Sequence, residues 1–132
     1  MRIASIIMFI LLLLCIIVQW NDPDGPLWML IYSYATIVTA FAVARRYSIA
    51  APIGVVLYLI GAIYWMPETM VENPSDLLLD LQMYEKGVEE VREDVGLYLC
   101  AAWMLVLSIV WWRGRAAIPA GAAQAEHEVK NP

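Results

Sequence analysis

The chain has 132 residues, of which 62% are hydrophobic, and it carries a formal net charge of −5 with a mean hydropathy of +0.67. An ordinary soluble domain of this length could not hide so much apolar surface, so the composition excludes one. The acidic balance also excludes a protein that binds nucleic acid through a basic surface. We therefore expect an all-α integral membrane protein.

Four apolar runs have the length of membrane-spanning helices, since a bilayer core of about 30 Å needs roughly 20 apolar residues per helix. None of the runs contains an acidic or basic residue, and they cover about residues 3–20, 27–44, 49–66 and 95–112. We predict an antiparallel bundle of four transmembrane helices in one domain, residues 1–115, followed by a disordered cytoplasmic tail, residues 116–132. No small-residue cleavage site follows the first run, so we expect a retained helix and not a signal peptide.

The first two runs are separated by a polar turn, residues 19–26, which contains two prolines and a glycine. These residue types favour a sharp reversal, and the turn's two carboxylates cannot lie in hydrocarbon. The turn therefore marks a membrane surface. We expect Asp24 to cap the second helix, with Pro26 in its first turn, and Trp28 to join Trp20 and Trp65 in an aromatic belt.

The charged residues are sorted between the two sides of the predicted bundle. Four spans place six basic residues on the side of both termini: Arg2, Arg45, Arg46, Arg113, Arg115 and Lys130. The opposite side holds eleven of the thirteen acidic residues and only two basic ones. Basic residues collect in short cytoplasmic loops, so both termini are predicted to be cytoplasmic and the acidic loops to lie on the periplasmic or outer face.

The third loop contains a predicted amphipathic helix, residues 75–94. Its apolar residues recur at alternating spacings of four and three, while acidic residues fill the other side. This helix either lies on the membrane surface or packs over the bundle and continues into the last span, with Gly87 as a plausible break. With so few cations it suits docking on protein better than an anionic bilayer.

Small residues on the second and third helices indicate where helices pack closely. The predicted packing positions are Ser33, Thr36, Ala40, Gly54 and Gly61. The two cysteines, Cys15 and Cys100, fall within spans at similar depth and are expected to be inert and apolar in character.

The sequence shows no catalytic group, metal motif or cofactor motif. The only histidine, His127, lies in the predicted tail, and no Cys/His spacing suits a metal. We therefore expect no catalytic residue, no dedicated metal site and no cofactor. No ionisable residue lies within a span, which argues against a proton relay or ion pathway.

Polar residues of the first and third loops meet at the outer face in the predicted topology. This candidate binding cluster comprises Gln19, Asn21, Asp22, Asp24, Glu72, Glu89, Arg92 and Glu93. Carboxylates four residues apart on a helix repel each other unless something neutralises them. The group that neutralises them could be Arg92, a divalent cation with oxygen ligands, or a polar head group. The simpler alternative is that these side chains are solvated or cap helices.

Two segments resemble the transmembrane protein 220 family. They are the Gln-x-Asn-Asp-Pro-Asp turn at residues 19–24, followed by Trp28 and Tyr32, and the Gly-Val-Glu-Glu-x-Arg-Glu-x-x-Gly-Leu segment at residues 87–97. The resemblance covers most of residues 1–112. It implies a small four-helix membrane protein and points to the outer polar residues, but it implies no reaction. Gly25 stands here where the family usually has proline directly after the second Asp.

We carry three functional hypotheses. The favoured one is a non-catalytic accessory subunit that packs against lipid and larger membrane proteins, for example in a respiratory or photosynthetic complex. The alternative is an outer-face binding module for a divalent cation or a polar head group. The least favoured is a membrane enzyme that uses paired carboxylates for acid–base chemistry.

Overall fold

The computed structural model describes residues 1–21, 24–66 and 86–130, and for residues 21, 86–92 and 116–130 it describes the backbone alone. Within these residues the chain is entirely helical, which confirms the predicted all-α class. The four α-helices are α1 (Arg2–Val18), α2 (Gly25–Val43), α3 (Ala50–Tyr64) and α4 (Lys86–Lys130). A short 3-10 helix, Gln19–Asn21, follows α1 directly.

Two of these helices are long and apolar enough to cross a membrane. They are α2 and the part of α4 between Glu93 and Arg115. The helices α1 and α3 are apolar but shorter, with 17 and 15 residues. At about 1.5 Å per residue they extend over roughly 26 and 23 Å, against a hydrocarbon core of about 30 Å.

The last helix is longer than the predicted span at both ends. It runs without interruption from Lys86, so Gly87 does not separate an amphipathic helix from the span. Residues 67–85, which include the first part of the predicted amphipathic segment, lie outside the described residues. At the other end the backbone stays helical through residues 116–130, where the sequence predicted a disordered tail. Alanine is frequent in that stretch and is the strongest helix former.

The helices pack as two antiparallel pairs that meet through α2. Helix α1 lies along α2, α3 lies along α4, and α2 approaches both α3 and α4. In the described part of the chain, α1 and α4 make no close backbone approach. The buried core is centred on α2 and α4, and its large members are Trp28, Tyr32, Tyr58, Leu97, Met104 and Leu107.

Side-chain hydrogen bonds attach α2 to both neighbouring helices. The Tyr58 hydroxyl of α3 donates to the Ile31 carbonyl (2.7 Å) and accepts from the Ala35 amide (3.1 Å). An ideal helix would pair those two backbone groups with each other. From α4, the Trp103 indole donates to the Thr39 hydroxyl (2.9 Å). The sequence did not predict these bonds, which act in addition to the small residues expected to pack on the second and third helices.

The predicted packing residues divide into buried and exposed positions. Gly54 is buried, and a Cβ there would lie 2.9 Å from Met104 Cγ and 3.0 Å from Tyr34 Cε1, so its lack of a side chain admits both neighbours. Gly61 faces Leu97 with ordinary spacing. On α2, Thr36 is buried and Ser33 is half-buried, whereas Ala40 is exposed. The α2 residues therefore do not form one buried stripe within this chain.

Helix α2 ends in a Schellman motif that places an arginine in a left-handed conformation. The Arg45 amide donates to the Ala42 carbonyl and the Arg46 amide to the Phe41 carbonyl, the bond pattern of that motif. Arg45 has φ of 59°, a region in which side chains with a Cβ are strained and glycine is not.

The variant Arg45→Gly is expected to raise the free energy of unfolding by about 1 kcal/mol, because glycine relieves the left-handed strain. Titrating the folded protein in mixed micelles with a denaturing detergent measures the change. Arg46→Gly is the matched control, since it removes the same charge at a neighbouring residue that does not have positive φ. Equal stabilisation by both variants would contradict the strain argument.

Candidate functional site

A cleft lies between α1 and α4, with part of α2 as its floor. Its volume is about 530 Å³, within the range of roughly 300–1,000 Å³ typical of ligand pockets. We call it the α1–α4 cleft, and its lining residues are Met8, Leu11, Leu12, Leu14, Cys15, Val18, Gln19, Tyr32, Glu93, Val95, Gly96, Leu99 and Cys100. It exists because α1 packs on α2 without reaching α4, which leaves a gap along the side of the bundle.

Polar groups are concentrated at one end of the α1–α4 cleft. Gln19 terminates α1 as its C-cap residue, and Glu93 lies opposite it on α4. Tyr32 of α2 lines the cleft together with them. Gln19 Oε1 is buried, and no hydrogen-bond donor from the described residues reaches it. A buried acceptor without a hydrogen-bond donor lowers the stability of the fold by about 1–3 kcal/mol. This end of the cleft is therefore suited to a ligand that donates a hydrogen bond.

The remainder of the cleft is an apolar channel that opens sideways. Leu11 and Leu14 on α1 and Leu99 on α4 line it while remaining about half exposed to the surroundings of the bundle. The chain's two cysteines also line it. Both are free, with Cys15 exposed and Cys100 buried. Their shared lining agrees with the similar depth that the sequence suggested.

The floor of the cleft is a close crossing between α2 and α4. Gly96 of α4 lies against Tyr32 of α2, so that a Cβ at position 96 would collide with the Tyr32 hydroxyl. A glycine inside an apolar helix is unfavourable relative to alanine by about 1 kcal/mol, and it commonly indicates such an approach. That signal is present in the sequence, but neither Tyr32 nor Gly96 was among the predicted site residues.

An aromatic cluster at the same end of the bundle fixes the start of α2. Trp28 is fully buried, with its ring centroid 5.8 Å from that of Trp65 and 6.3 Å from that of Tyr32. Its indole N–H donates to Asp24 Oδ2 (2.9 Å). Asp24 therefore stands at the N-cap position, but its carboxylate binds the indole and no backbone amide of the first turn. Trp28 thus lies beside Trp65 with its ring enclosed by protein, whereas Trp20 is 82% exposed.

The predicted binding cluster is only partly assembled by the described residues. Gln19 and Glu93 both line the cleft, while Asp24 is exposed and does not line it. For Asn21, Glu89 and Arg92 the backbone alone is described, and Asp22 and Glu72 lie outside the described residues.

The described residues do not form a metal site. They contain no group of three His, Cys, Asp or Glu side chains placed to hold a metal ion. One further carboxylate oxygen, Asp94 Oδ1, is buried without a donor from the described residues, but Asp94 does not line the cleft. Of the described residues that line the cleft, Gln19 supplies the amide and Glu93 the carboxylate at this end of the bundle.

Comparison with known proteins identifies one family. The model of transmembrane family 220, helix, matches residues 11–109. The matched region contains the second half of α1, all of α2 and α3, and the part of α4 that lines the cleft. No curated protein and no solved structure matches the chain.

Proposed function

The chain belongs to transmembrane family 220, and from that premise we propose a non-catalytic membrane protein that holds a membrane amphiphile in the α1–α4 cleft. The observation that carries this proposal is the cleft's division into a polar end and an apolar channel. An amphiphile has the same division, with a polar head and an apolar chain. The channel opens sideways between two helices, where a chain from the bilayer can enter without crossing water.

The proposal includes a topology of four spans with both termini in the cytoplasm. The two longer helices and the antiparallel pairing of the shorter ones support four crossings. Slight thinning of the bilayer accommodates the shorter helices at modest cost. The excess of arginine on the side of the termini supports the orientation. In this topology Gln19 and Glu93 lie at the outer boundary, at the depth of lipid head groups.

We propose an amphiphile and not a divalent cation as the ligand, because of the residues that line the cleft. Among the described residues that line the cleft, Glu93 is the only one with a carboxylate, and a hard cation such as calcium takes six to eight oxygen ligands. Most of the lining is aliphatic, which would contribute nothing to a cation. The same surface supplies van der Waals contact to an acyl chain along the whole channel.

Filling the cleft tests this function. Leu99→Trp places a large side chain at a cleft position that is 62% exposed, so the core is not disturbed. We expect Leu99→Trp to reduce the amount of a photoreactive single-chain lipid that cross-links to the purified protein by about tenfold. Leu105→Trp, on the same helix at 51% exposure and outside the cleft, is the matched control. Equal cross-linking of both variants and the unaltered protein would overturn the proposal.

An accessory role in a larger membrane complex is the second candidate function. It is supported by the exposed position of Ala40 on α2, between the exposed Ile37 and Phe41. A small residue on an apolar helix face allows the backbone of another helix to approach closely. Mild detergent extraction followed by native electrophoresis tests it, since a lone monodisperse particle would count against this role.

A further inference from the structure

We propose that one end of the bundle binds the phosphate groups of anionic phospholipids through five exposed arginines. We call this set the arginine rim, and its members are Arg2, Arg45, Arg46, Arg113 and Arg115. The rim lies at the end of the bundle opposite Gln19 and Glu93, so it is separate from the polar end of the α1–α4 cleft. The inference does not depend on a ligand in that cleft.

Helices α2 and α4 run parallel to each other in a constant register. The Trp103 indole of α4 donates to the hydroxyl of Thr39, which lies 64 residues earlier in the chain. The crossing of the two helices at the floor of the cleft joins residues with the same separation. Extended along α2, this register places the turn that contains Arg45 and Arg46 about one helical turn from Arg113.

The other members of the rim reach the same end from α1 and α4. Helix α1 packs along α2 and is joined to it by a short connection, so the two helices are antiparallel and Arg2 lies at the end where α2 stops. On α4, the Arg115 guanidinium lies over the Trp111 ring, 5.0 Å from its centroid, and the neighbouring Trp112 is 69% exposed. Tryptophan and arginine together are typical of the boundary at which lipid head groups lie.

The described side chains do not neutralise the charge of the rim. All five arginines are exposed, and the three acidic residues whose side chains are described, Asp24, Glu93 and Asp94, belong to the opposite end. Beyond Arg115 the next acidic residue in the sequence is Glu126. The backbone between them is helical, which separates the two positions by about 16 Å along the axis. Phosphate is the complementary group, because a guanidinium binds it through two parallel hydrogen bonds.

The backbone of Arg45 supports a role for its side chain. Its φ of 59° belongs to the position in a Schellman motif that glycine usually occupies. An arginine is strained there, so its side chain is expected to contribute something other than the stability of the turn. The rim also borders exposed apolar side chains, among them Ile49 and Trp112. An anion that reaches the arginines therefore lies at the lipid boundary, which favours a lipid head group over a free anion.

Quenching of tryptophan fluorescence by brominated lipids measures the lipid preference. The full chain is placed in bilayers of brominated phosphatidylcholine that contain increasing amounts of unbrominated phosphatidylglycerol or phosphatidylcholine. Relief of quenching gives the ratio of the two association constants. We expect phosphatidylglycerol to associate about fivefold more strongly than phosphatidylcholine, and this ratio should fall as the salt concentration rises. Symmetric bilayers make the result independent of the orientation of the chain.

Two double variants assign the preference to the rim. In Arg45→Gly/Arg46→Gln the glycine relieves the strained φ, so a loss of preference cannot be attributed to unfolding. Arg113→Gln/Arg115→Gln removes the charges contributed by α4. Each double variant should lower the ratio from about fivefold to about twofold or less. Arg92→Gln is the matched control, because it removes an arginine from the opposite end of the membrane-spanning part of α4 and should leave the ratio unchanged.

The outcomes also separate the rim from the cleft. Leu99→Trp fills the cleft and should leave the ratio unchanged. Equal association of the two lipids with the unaltered chain would overturn the inference. A preference that survives both double variants, or one that Arg92→Gln or Leu99→Trp abolishes, would overturn it as well, because the rim would then not be its source. The function proposed for the cleft fails on a different result, equal cross-linking of the Leu99→Trp variant and the unaltered protein.

Discussion

Trp28→Ala is expected to lower the free energy of unfolding by about 3 kcal/mol, the largest effect of any substitution considered for this protein. Trp28 is fully buried between Tyr32 and Trp65, and its indole satisfies Asp24. Alanine would leave a cavity at the start of α2 and remove the donor to that carboxylate. We expect a value at the low end of the range for large-to-small substitutions. Lipid is already apolar, so burial of an apolar side chain in a membrane protein stabilises the fold mainly through packing.

Trp20→Ala is the matched control for this prediction. Trp20 belongs to the same turn region but is 82% exposed, so its removal should change stability by less than about 0.5 kcal/mol. Unfolding in mixed micelles, followed by the fluorescence of the remaining tryptophans, measures both variants. Similar destabilisation by the two would show that the loss of an aromatic side chain at the membrane boundary, and not the packing of Trp28, determines the effect.

Gly96→Ala is expected to destabilise the bundle by about 1–3 kcal/mol, although alanine is normally the better helix residue. The added methyl group would collide with the Tyr32 hydroxyl at the crossing of α2 and α4. Moving Tyr32 disturbs its contact with Trp28, which is why the methyl group is not accommodated without cost. The same detergent titration measures the loss, and cross-linking of the photoreactive lipid reports the accompanying change in the cleft floor.

Two further variants test whether the collision causes this loss. In Gly96→Ala/Tyr32→Phe the hydroxyl is absent, and the nearest ring atom lies 3.2 Å from the new methyl group, a tight contact that a small shift relieves. This double variant should recover most of the lost stability. Gly114→Ala, where nothing lies within 4 Å of an added Cβ, should be neutral or stabilising by up to about 1 kcal/mol. Failure of the double variant to recover would contradict the steric explanation.

The helical class and the order of the apolar helices followed from composition and spacing. The turn at residues 19–26 was correctly expected to separate two helices, because proline and glycine act locally on the backbone. The uninterrupted course of α4 could not be predicted from these local residue preferences. Gly87 disfavours a helix by only about 1 kcal/mol, and flanking residues that favour helix override it.

The candidate site was predictable only in part. Gln19 and Glu93 were selected because polar residues at the end of an apolar helix are conspicuous, and the structure places them in one cleft. The cleft itself depends on which pairs of helices pack together and which leave a gap. The residue pattern of a single helix does not contain that information. The burial of Trp28 within the chain was not predicted, because its position along the helix is the same whether its ring faces lipid or protein. Its hydrogen bond to Asp24 is a partnership between side chains that helix propensity does not encode.

The position of the Tyr58 hydroxyl has a consequence for how firmly the two helix pairs are joined. It binds the Ile31 carbonyl and the Ala35 amide, and neither group can be left without a partner in hydrocarbon. If the α3–α4 pair moved away, those two groups would lie at the spacing that lets them bond to each other. Separating the two helix pairs would then cost less free energy than the loss of two hydrogen bonds. The contact between α2 and α3 is therefore weaker than its two hydrogen bonds suggest.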